Sequence, residues 1–393
     1  MLIPFDFAAT PHIHFGVGKR STLTAIIQTY GNKVLLITGG KSFDDSELCL
    51  NLLSELEEKL EVNREKVVGE PSPQMVDAWV KTYQNFEPDV VLAIGGGSAV
   101  DAAKAVAGLL PCGHSVMDYL EGVGKGKTFK QPTTPLIAVP TTAGTGGETS
   151  KNAVLSVIGH EGYKKSFRHA SLVAKHIVLD PELTMTCSKE VTAACGMDAF
   201  TQLLESYVSI EASPITDALA WSALEKIVTA LPAAYENGDD MLARGDMLYA
   251  SSISGLTLAN AGLGSVHGLA SPLGAFFPIP HGVVCGSLLF EATRINIQAM
   301  LTRDEYNPAL TKYAKVGRLF APEMNLDEAD ALKMLLGMLE IWQQHLQMPK
   351  LSEFGVIKDD VQRIVANISG GSYATNPIVL THDELETLLL ARI

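Results

Sequence analysis

Residues 89–104, DVVLAIGGGSAVDAAK, run from a short apolar stretch through three glycines into an alanine-rich stretch opened by Ser98. That order suits phosphate binding. Gly95, Gly96 and Gly97 let the backbone come close to a diphosphate, and the free N–H groups and positive dipole end of a following helix favour the anion. The spacing is neither the dinucleotide fingerprint G-x-G-x-x-G nor the Walker loop G-x-x-x-x-G-K-[ST], so a tight strand-to-helix turn without ligand competes with the phosphate reading. Asp101 has a plainer alternative as the acid of a Ser98-x-x-Asp101 capping box, with Lys104 as its i+3 partner. A second loop at 140–148, PTTAGTGGE, consists almost wholly of small or hydroxyl residues. Thr141, Thr142 and Thr145 could hydrogen-bond a cofactor there, or Thr145 and Glu148 could cap a helix. Two such loops at the C-terminal ends of strands favour the ligand reading, because parallel sheets bind ligands at that edge.

These loops need strands to carry them. The first 180 or so residues alternate β-branched runs with amphipathic runs of helical period, the pattern of a parallel sheet flanked by helices. Strands are expected at 33–38, 66–68, 90–94 and 136–140, and helices at 47–60, 74–83 and 98–110. From Ser188 the β-branched runs stop. Helices are then expected at 196–208, 214–234, 241–260, 281–299, 326–346, 358–368 and 383–392, the last opened by the capping box Thr381-x-x-Glu384. The division falls near Asp180-Pro181, giving an α/β domain over 1–183 and an all-α domain over 184–393.

Composition bounds the function. The 393 residues are 47% hydrophobic, 19% charged and 7% aromatic, which excludes disorder and a coiled coil. A net charge of −14 leaves no basic surplus for nucleic acid or anionic lipid. Cys49, Cys112, Cys187, Cys195 and Cys285 are odd in number and form no Cys-x-x-Cys, so neither a disulfide framework nor a cysteine zinc site is expected, and a reducing compartment is. The start, MLIPFDFAATPHIHF, has no readable secretory signal. The apolar stretch 90–110 carries Asp101 and Lys104 and is disqualified as a membrane span. A soluble cytoplasmic protein is expected.

GGGSAVDAAK at 95–104, PTTAGTGGET at 140–149, IVLDPELT at 177–184, GMDAFTQLLESY at 196–207 and SVHGLASPLGAFFPIPHG at 265–282 together resemble, in order, the iron-containing (group III) alcohol dehydrogenases. The resemblance covers nearly the whole chain. It implies a Rossmann-like α/β NAD(P)-binding domain followed by an all-helical metal and substrate domain, the dehydroquinate-synthase-like architecture, with the active site in the cleft between. It also implies a homodimer.

In that family an Asp and a His four residues later, with two further His, hold a metal, and another His serves proton transfer. Carried over, Asp198, His267 and His281 match three ligands. The other two positions depart: Gln202 stands where the first ligand His is expected, and Ser271 where the additional His is. Asp198 and Gln202 lie at i and i+4 and so share a helix face. One carboxylate and two imidazoles suffice for a catalytic divalent metal with open positions, and Gln202 could add a weaker amide oxygen. The metal is Fe2+ by resemblance, with Zn2+ as the alternative; a site drifted to metal-free reduction stays open. The remaining histidines, His12, His14, His114, His160, His169, His176, His345 and His382, read as surface or structural.

The stretch TGGKSF at 38–43 bears on the cofactor. NAD-selective relatives place an Asp after this strand, where its charge repels the extra phosphate of NADP. Here Gly39, Gly40 and Lys41 offer no such acid, so NADP(H) is expected to be accepted. Asn152, Lys164 and Leu183 match family cofactor contacts, although the lysine also reads as part of a β-hairpin. The expected activity is hydride transfer between NAD(P) and an alcohol or its aldehyde or ketone, with Asp198, His267, His281 and Ser271 at the reacting end and an apolar pocket around Phe200, Leu256, Asn260, Phe276 and Phe277. The alternatives are a metal-independent reductase of an activated keto acid, a lyase of the same fold, and a cofactor-binding protein with lost catalysis.

Overall fold

Val34–Ile37 and Val90–Ile94 are apolar on both faces, as strands covered from two sides must be, and both lie at the centre of a six-stranded sheet in the computed structural model, which describes residues 4–368 and 370–393. In chain order the first half runs β1 (His12–Phe15), α1 (Leu23–Gln28), β2 (Lys33–Gly39), α2 (Lys41–Asp44), α3 (Glu47–Glu57), β3 (Glu61–Val67), α4 (Pro73–Tyr83), β4 (Val90–Gly95), α5 (Gly97–Leu109), β5 (Leu136–Pro140), β6 (Asn152–Val157), β7 (Tyr163–Arg168) and β8 (His176–Leu179). The sheet order is β1-β8-β5-β4-β2-β3, every pairing parallel, while β6 and β7 form a separate antiparallel hairpin. The chain steps from β2 outward to β3, then crosses back to β4 on the other side of β2. The tips of β2 and β4 therefore flank a topological switch point, where such sheets bind ligands.

Alternation along the strands builds two cores. Leu35, Ile37, Val91, Ala93 and Ala138 face α4, α5 and onward into the helical half. Val34, Leu36, Leu92, Ile94 and Val139 face α1 and α3. The alanines of α5 follow from its position: the helix is buried over nearly its whole circumference between sheet and hairpin, where larger side chains would not fit.

The second half is helical: α6 (Lys189–Val208), α7 (Pro214–Glu236), α8 (Met241–Ala261), α9 (Ser265–Phe276), α10 (His281–Arg303), α11 (Pro308–Leu319), α12 (Glu328–His345), α13 (Val361–Ala366), α14 (Gly370–Tyr373) and α15 (His382–Leu390). Buried from Thr192 to Val208 almost without break, α6 is the central post, packed by α7, α8 and α10.

Several expectations are corrected. β3 begins five residues before 66, because its sequence EVNREKV mixes charges into a half-exposed edge strand. β1 and β8 were not expected; each is only four residues long, and β1 alternates His with apolar residues. The helix expected from 196 starts at Lys189, where the Ser188 hydroxyl accepts from the Val191 N–H at 3.3 Å. α9, with Pro272 inside it, and α11 went unread, while 358–368 divides into a short 3-10 turn and α13. The Ser98-x-x-Asp101 capping box does not form: α5 opens on Gly96 with no side-chain cap hydrogen bond. The Thr381–Glu384 box does form, with both reciprocal bonds.

Candidate metal and cofactor site

At the switch point only glycine fits. A side chain on Gly95 would lie 2.9 Å from the Gly39 amide nitrogen and 2.8 Å from the Ala99 methyl. Beside this contact a cavity of about 290 Å³ is lined by Gly39, Ser42, Gly95, Thr141, Thr142 and Leu183 among others. Because Gly96 caps α5 without a side chain, the first-turn amides of Gly97 and Ser98 stay available to an acceptor, and the helix dipole makes that acceptor an anion. Thr145 packs directly over Gly97, where a Cβ would come 2.8 Å from the threonine methyl, so the two glycine-rich loops meet. Gly40 and Lys41 open α2, and the Lys41 ammonium is 90% exposed, 3.8 Å from Asp45.

Beneath the loops lies a fully buried lysine that sequence reasoning took for a helix partner. Lys104 Nζ donates to the carbonyl of Gly147, to Ser150 Oγ at 3.0 Å and to the carbonyl of Asn152 at 2.8 Å. Burial pushes the carboxyls of Asp101 and Glu148 each up to about 7 and this ammonium down to about 8, against their mutual attraction. Lys104 thus braces the loop and the start of the hairpin from below. The loop is tied onward to the helical half. Gly146, at φ 58°, lies against the backbone of Ser251 and Gly255 on α8, so closely that a side chain on either glycine would overlap the other's backbone, and Thr149 Oγ1 donates to the Ser252 carbonyl at 3.1 Å.

In the helical half, α6, α9 and α10 bring four side chains to one point. Asp198 Oδ1 lies 3.3 Å from His267 Nε2 and 3.6 Å from His281 Nε2. Cys285, one turn after His281, places Sγ 3.6 Å from His267 Nε2 and 3.8 Å from His281 Nε2. Behind His267, Glu205 binds the other ring nitrogen at 2.6 Å and the Val266 N–H at 2.7 Å, fixing the imidazole so that Nε2 faces the cluster. Burial disfavours the Asp198 charge, but the neighbouring His281 and His267 rings and the Gln202 amide outweigh it and pull the acid down to about 2. Burial, joined by Lys164 and His267, lowers His281 to about 4 despite Asp198; burial pushes the Cys285 thiol up to about 12.

Other expected residues are placed differently. The Gln202 amide nitrogen donates to Asp198 Oδ1 at 3.0 Å while its oxygen accepts from Ser254 Oγ at 2.7 Å. Ser271 Oγ donates to the Lys164 carbonyl at 3.3 Å, joining α9 to β7, and Lys164 Nζ pairs with Glu70 at 3.1 Å. The lysine's hairpin is real but this side chain is largely covered, at 12% exposure. Phe200 is no pocket residue: its ring packs 5.1 Å from Trp342 in the helical core. Phe276 and Phe277 lie under the Arg363 guanidinium, and Asn260 accepts from the Ala8 N–H at 2.7 Å. Glu205 and Cys285 were missed, although Glu205 lies two turns after Asp198 and Cys285 one turn after His281, spacings that keep each on its neighbour's helix face. His12, His14 and His176 gather separately on the β1–β8 edge, rings 4.5–5.3 Å apart.

The family models for "Iron-containing alcohol dehydrogenase" and "Fe-containing alcohol dehydrogenase family, C-terminal" match residues 10–181 and 192–393. The chain belongs to the iron-containing alcohol dehydrogenase family. It is accordingly an oxidoreductase of the alcohol dehydrogenase type. Among its relatives, long-chain-alcohol dehydrogenase 1 of Geobacillus thermodenitrificans (strain NG80-2) is 38% identical over 275 residues, 69% of this chain and 68% of that one. A 1,3-propanediol oxidoreductase crystal structure superposes with a TM-score of 0.89 at 27% identity, covering all of both chains. Sulfoacetaldehyde reductase from Bifidobacterium kashiwanohense in complex with NAD+ gives 0.84 at 27% identity, covering 100% of this chain and 99% of the other.

For an iron-containing dehydrogenase the donor set is apt: a charged carboxylate, a carboxylate-oriented imidazole and a second, neutral imidazole converge with all ligand atoms, including the Cys285 sulfur, within 4.8 Å of one another. Such atoms suit a divalent cation.

Proposed function

We propose that the protein interconverts an alcohol and its aldehyde or ketone by hydride transfer with NAD(P), and that Asp198, His267 and His281 hold a divalent metal for this reaction. A bound metal supplies Lewis acidity, polarising the substrate oxygen. The convergence of those three side chains in one cluster is the observation that carries the reading. Glu205 keeps the His267 ring turned toward the cluster, and Asp198 sets the charge there. The Gly97 and Ser98 amides receive the cofactor diphosphate, with Thr141, Thr142 and Thr145 as hydroxyl partners. The Ser271 hydroxyl donates to the Lys164 carbonyl of the hairpin and so takes no part in holding the substrate proton.

Nothing acidic follows β2 at Gly39–Ser42, which supports acceptance of NADP as well as NAD. Five free thiols support a cytoplasmic setting. Among the described residues no helix is long and apolar enough to cross a membrane. Homodimer formation is supported by β1, an edge strand that exposes Ile13 and Phe15. The metal-independent alternative draws on Gln202, whose amide is engaged at both ends by Asp198 and Ser254.

The test combines elemental analysis of anaerobically purified protein with NADH and NADPH absorbance assays over a panel of alcohols and aldehydes. One divalent metal per chain, lost together with activity in His267→Ala, is the expected result. An active wild type containing no metal would leave the metal-independent reduction standing instead.

A further inference from the structure

We infer that Cys285 is the fourth protein ligand of the metal, replacing the imidazole that the chain lacks at Gln202, so that the site is an Asp-His-His-Cys set. This rests on the proposed metal site and adds to it a ligand that the family resemblance does not supply. Gln202 is the obvious candidate for the vacant ligand position, but its oxygen is engaged by Ser254 Oγ and its donor end faces Asp198. A thiol four residues after His281 reaches the same point from another helix.

The distances match what coordination demands. With metal–nitrogen and metal–oxygen bonds of about 2.0–2.1 Å and metal–sulfur of about 2.3 Å, a tetrahedron sets neighbouring N and O atoms about 3.3–3.4 Å apart, and N and S about 3.6 Å apart. The corresponding separations are 3.3 and 3.6 Å from Asp198 to the two imidazoles, and 3.6 and 3.8 Å from Cys285 to the same nitrogens. Cys285 is fully buried, with α10 fixing its backbone, so the sulfur is presented without a mobile side chain to order. On binding, the S–H bond breaks, a metal–sulfur bond forms and the proton passes to solvent. A thiolate in place of an imidazole shifts the preference from Fe2+ toward Zn2+.

The experiment is optical and independent of turnover. The whole protein is stripped with chelator and reloaded with Co2+, and its visible and near-ultraviolet spectra are recorded beside those of Cys285→Ser, with thermal melts of both apo forms. The expected result is one cobalt per chain, with ligand-field bands and an intense thiolate-to-cobalt charge-transfer band in the wild type. Cys285→Ser loses the charge-transfer band and binds Co2+ about tenfold or more weakly. The wild-type spectrum decides the matter even if the variant folds poorly. Cobalt bound with ligand-field bands but no charge-transfer band overturns the Cys285 assignment and leaves the metal site intact. Failure of the wild type to retain any cobalt overturns both.

Discussion

Lys104→Met tests whether the buried ammonium under the cofactor loop holds that loop in shape. Methionine keeps most of the aliphatic volume and removes only the charged head. In the wild type that head donates to the Gly147 and Asn152 carbonyls and to Ser150 Oγ. Gly147 O retains the Ser150 hydroxyl as a partner at 3.3 Å, so the Asn152 carbonyl suffers the larger loss. A buried acceptor left unsatisfied costs about 1–3 kcal/mol, and removing one charge of a buried cluster costs about 3–5 kcal/mol, partly offset because the ammonium no longer has to be desolvated. The net expectation is about 3 kcal/mol, close to 150-fold in the folding equilibrium. Asp101 and Glu148, held near about 7 against burial partly by this cation, rise further without it. Carboxyls whose folded pKa exceeds the unfolded value stabilise at low pH, and that contribution is lost as pH climbs through the folded value. The deficit is therefore largest near pH 8 and shrinks toward pH 5. Urea denaturation at both pH values, with cofactor titration by fluorescence, reads it; a weakened cofactor Kd with a smaller change in alcohol KM is expected. An unchanged urea midpoint together with an unchanged cofactor Kd would refute the reasoning.

Other outcomes follow from the same geometry. Glu205→Gln removes the carboxylate behind His267 and should weaken metal binding about 10- to 100-fold, read by competition with a chromophoric chelator. Gly95→Ala drives a methyl against the Gly39 amide and Ala99, with a stability loss of about 1–3 kcal/mol and a raised cofactor KM, read by denaturation and kinetics. Gly39→Asp places a carboxylate at the tip of β2 and should lower kcat/KM for NADP while sparing NAD, read as the ratio of the two. Prolonged dialysis against a chelator should abolish alcohol oxidation, and Zn2+ or Fe2+ should restore it.

The parallel sheet and the helical succession were legible because buried strands are continuously apolar and long amphipathic helices keep their period. What escaped was short or mixed: β1 and β8 carry four residues each, and α9 holds a proline that argues against a helix from sequence. At the site, Asp198, His267 and His281, which come from motifs on three helices, lie close together with Cys285. Cys285 escaped because a lone cysteine near a histidine has no meaning until the fold brings α6 and α9 beside it. Lys104 escaped for a similar reason: its partners are carbonyls 43–48 residues away, which leave no mark on side-chain pattern. Phe200 misled because it stands only two residues from Asp198 in the same motif, a spacing that turns it to a different face of α6, where its ring packs into the helical core.

The seating of Gly146 on Gly255 has a consequence for descent. The 140–148 loop and α8 are cast against each other with no side chain between them, so a side chain gained on one face has to be accommodated by the other. A hybrid joined between residues 181 and 192 from two relatives would inherit a working junction only where the parent of the first half carries glycine at position 146 and the parent of the second carries glycine at position 255. The seam therefore ties any exchange of halves to the presence of glycine on both sides of it.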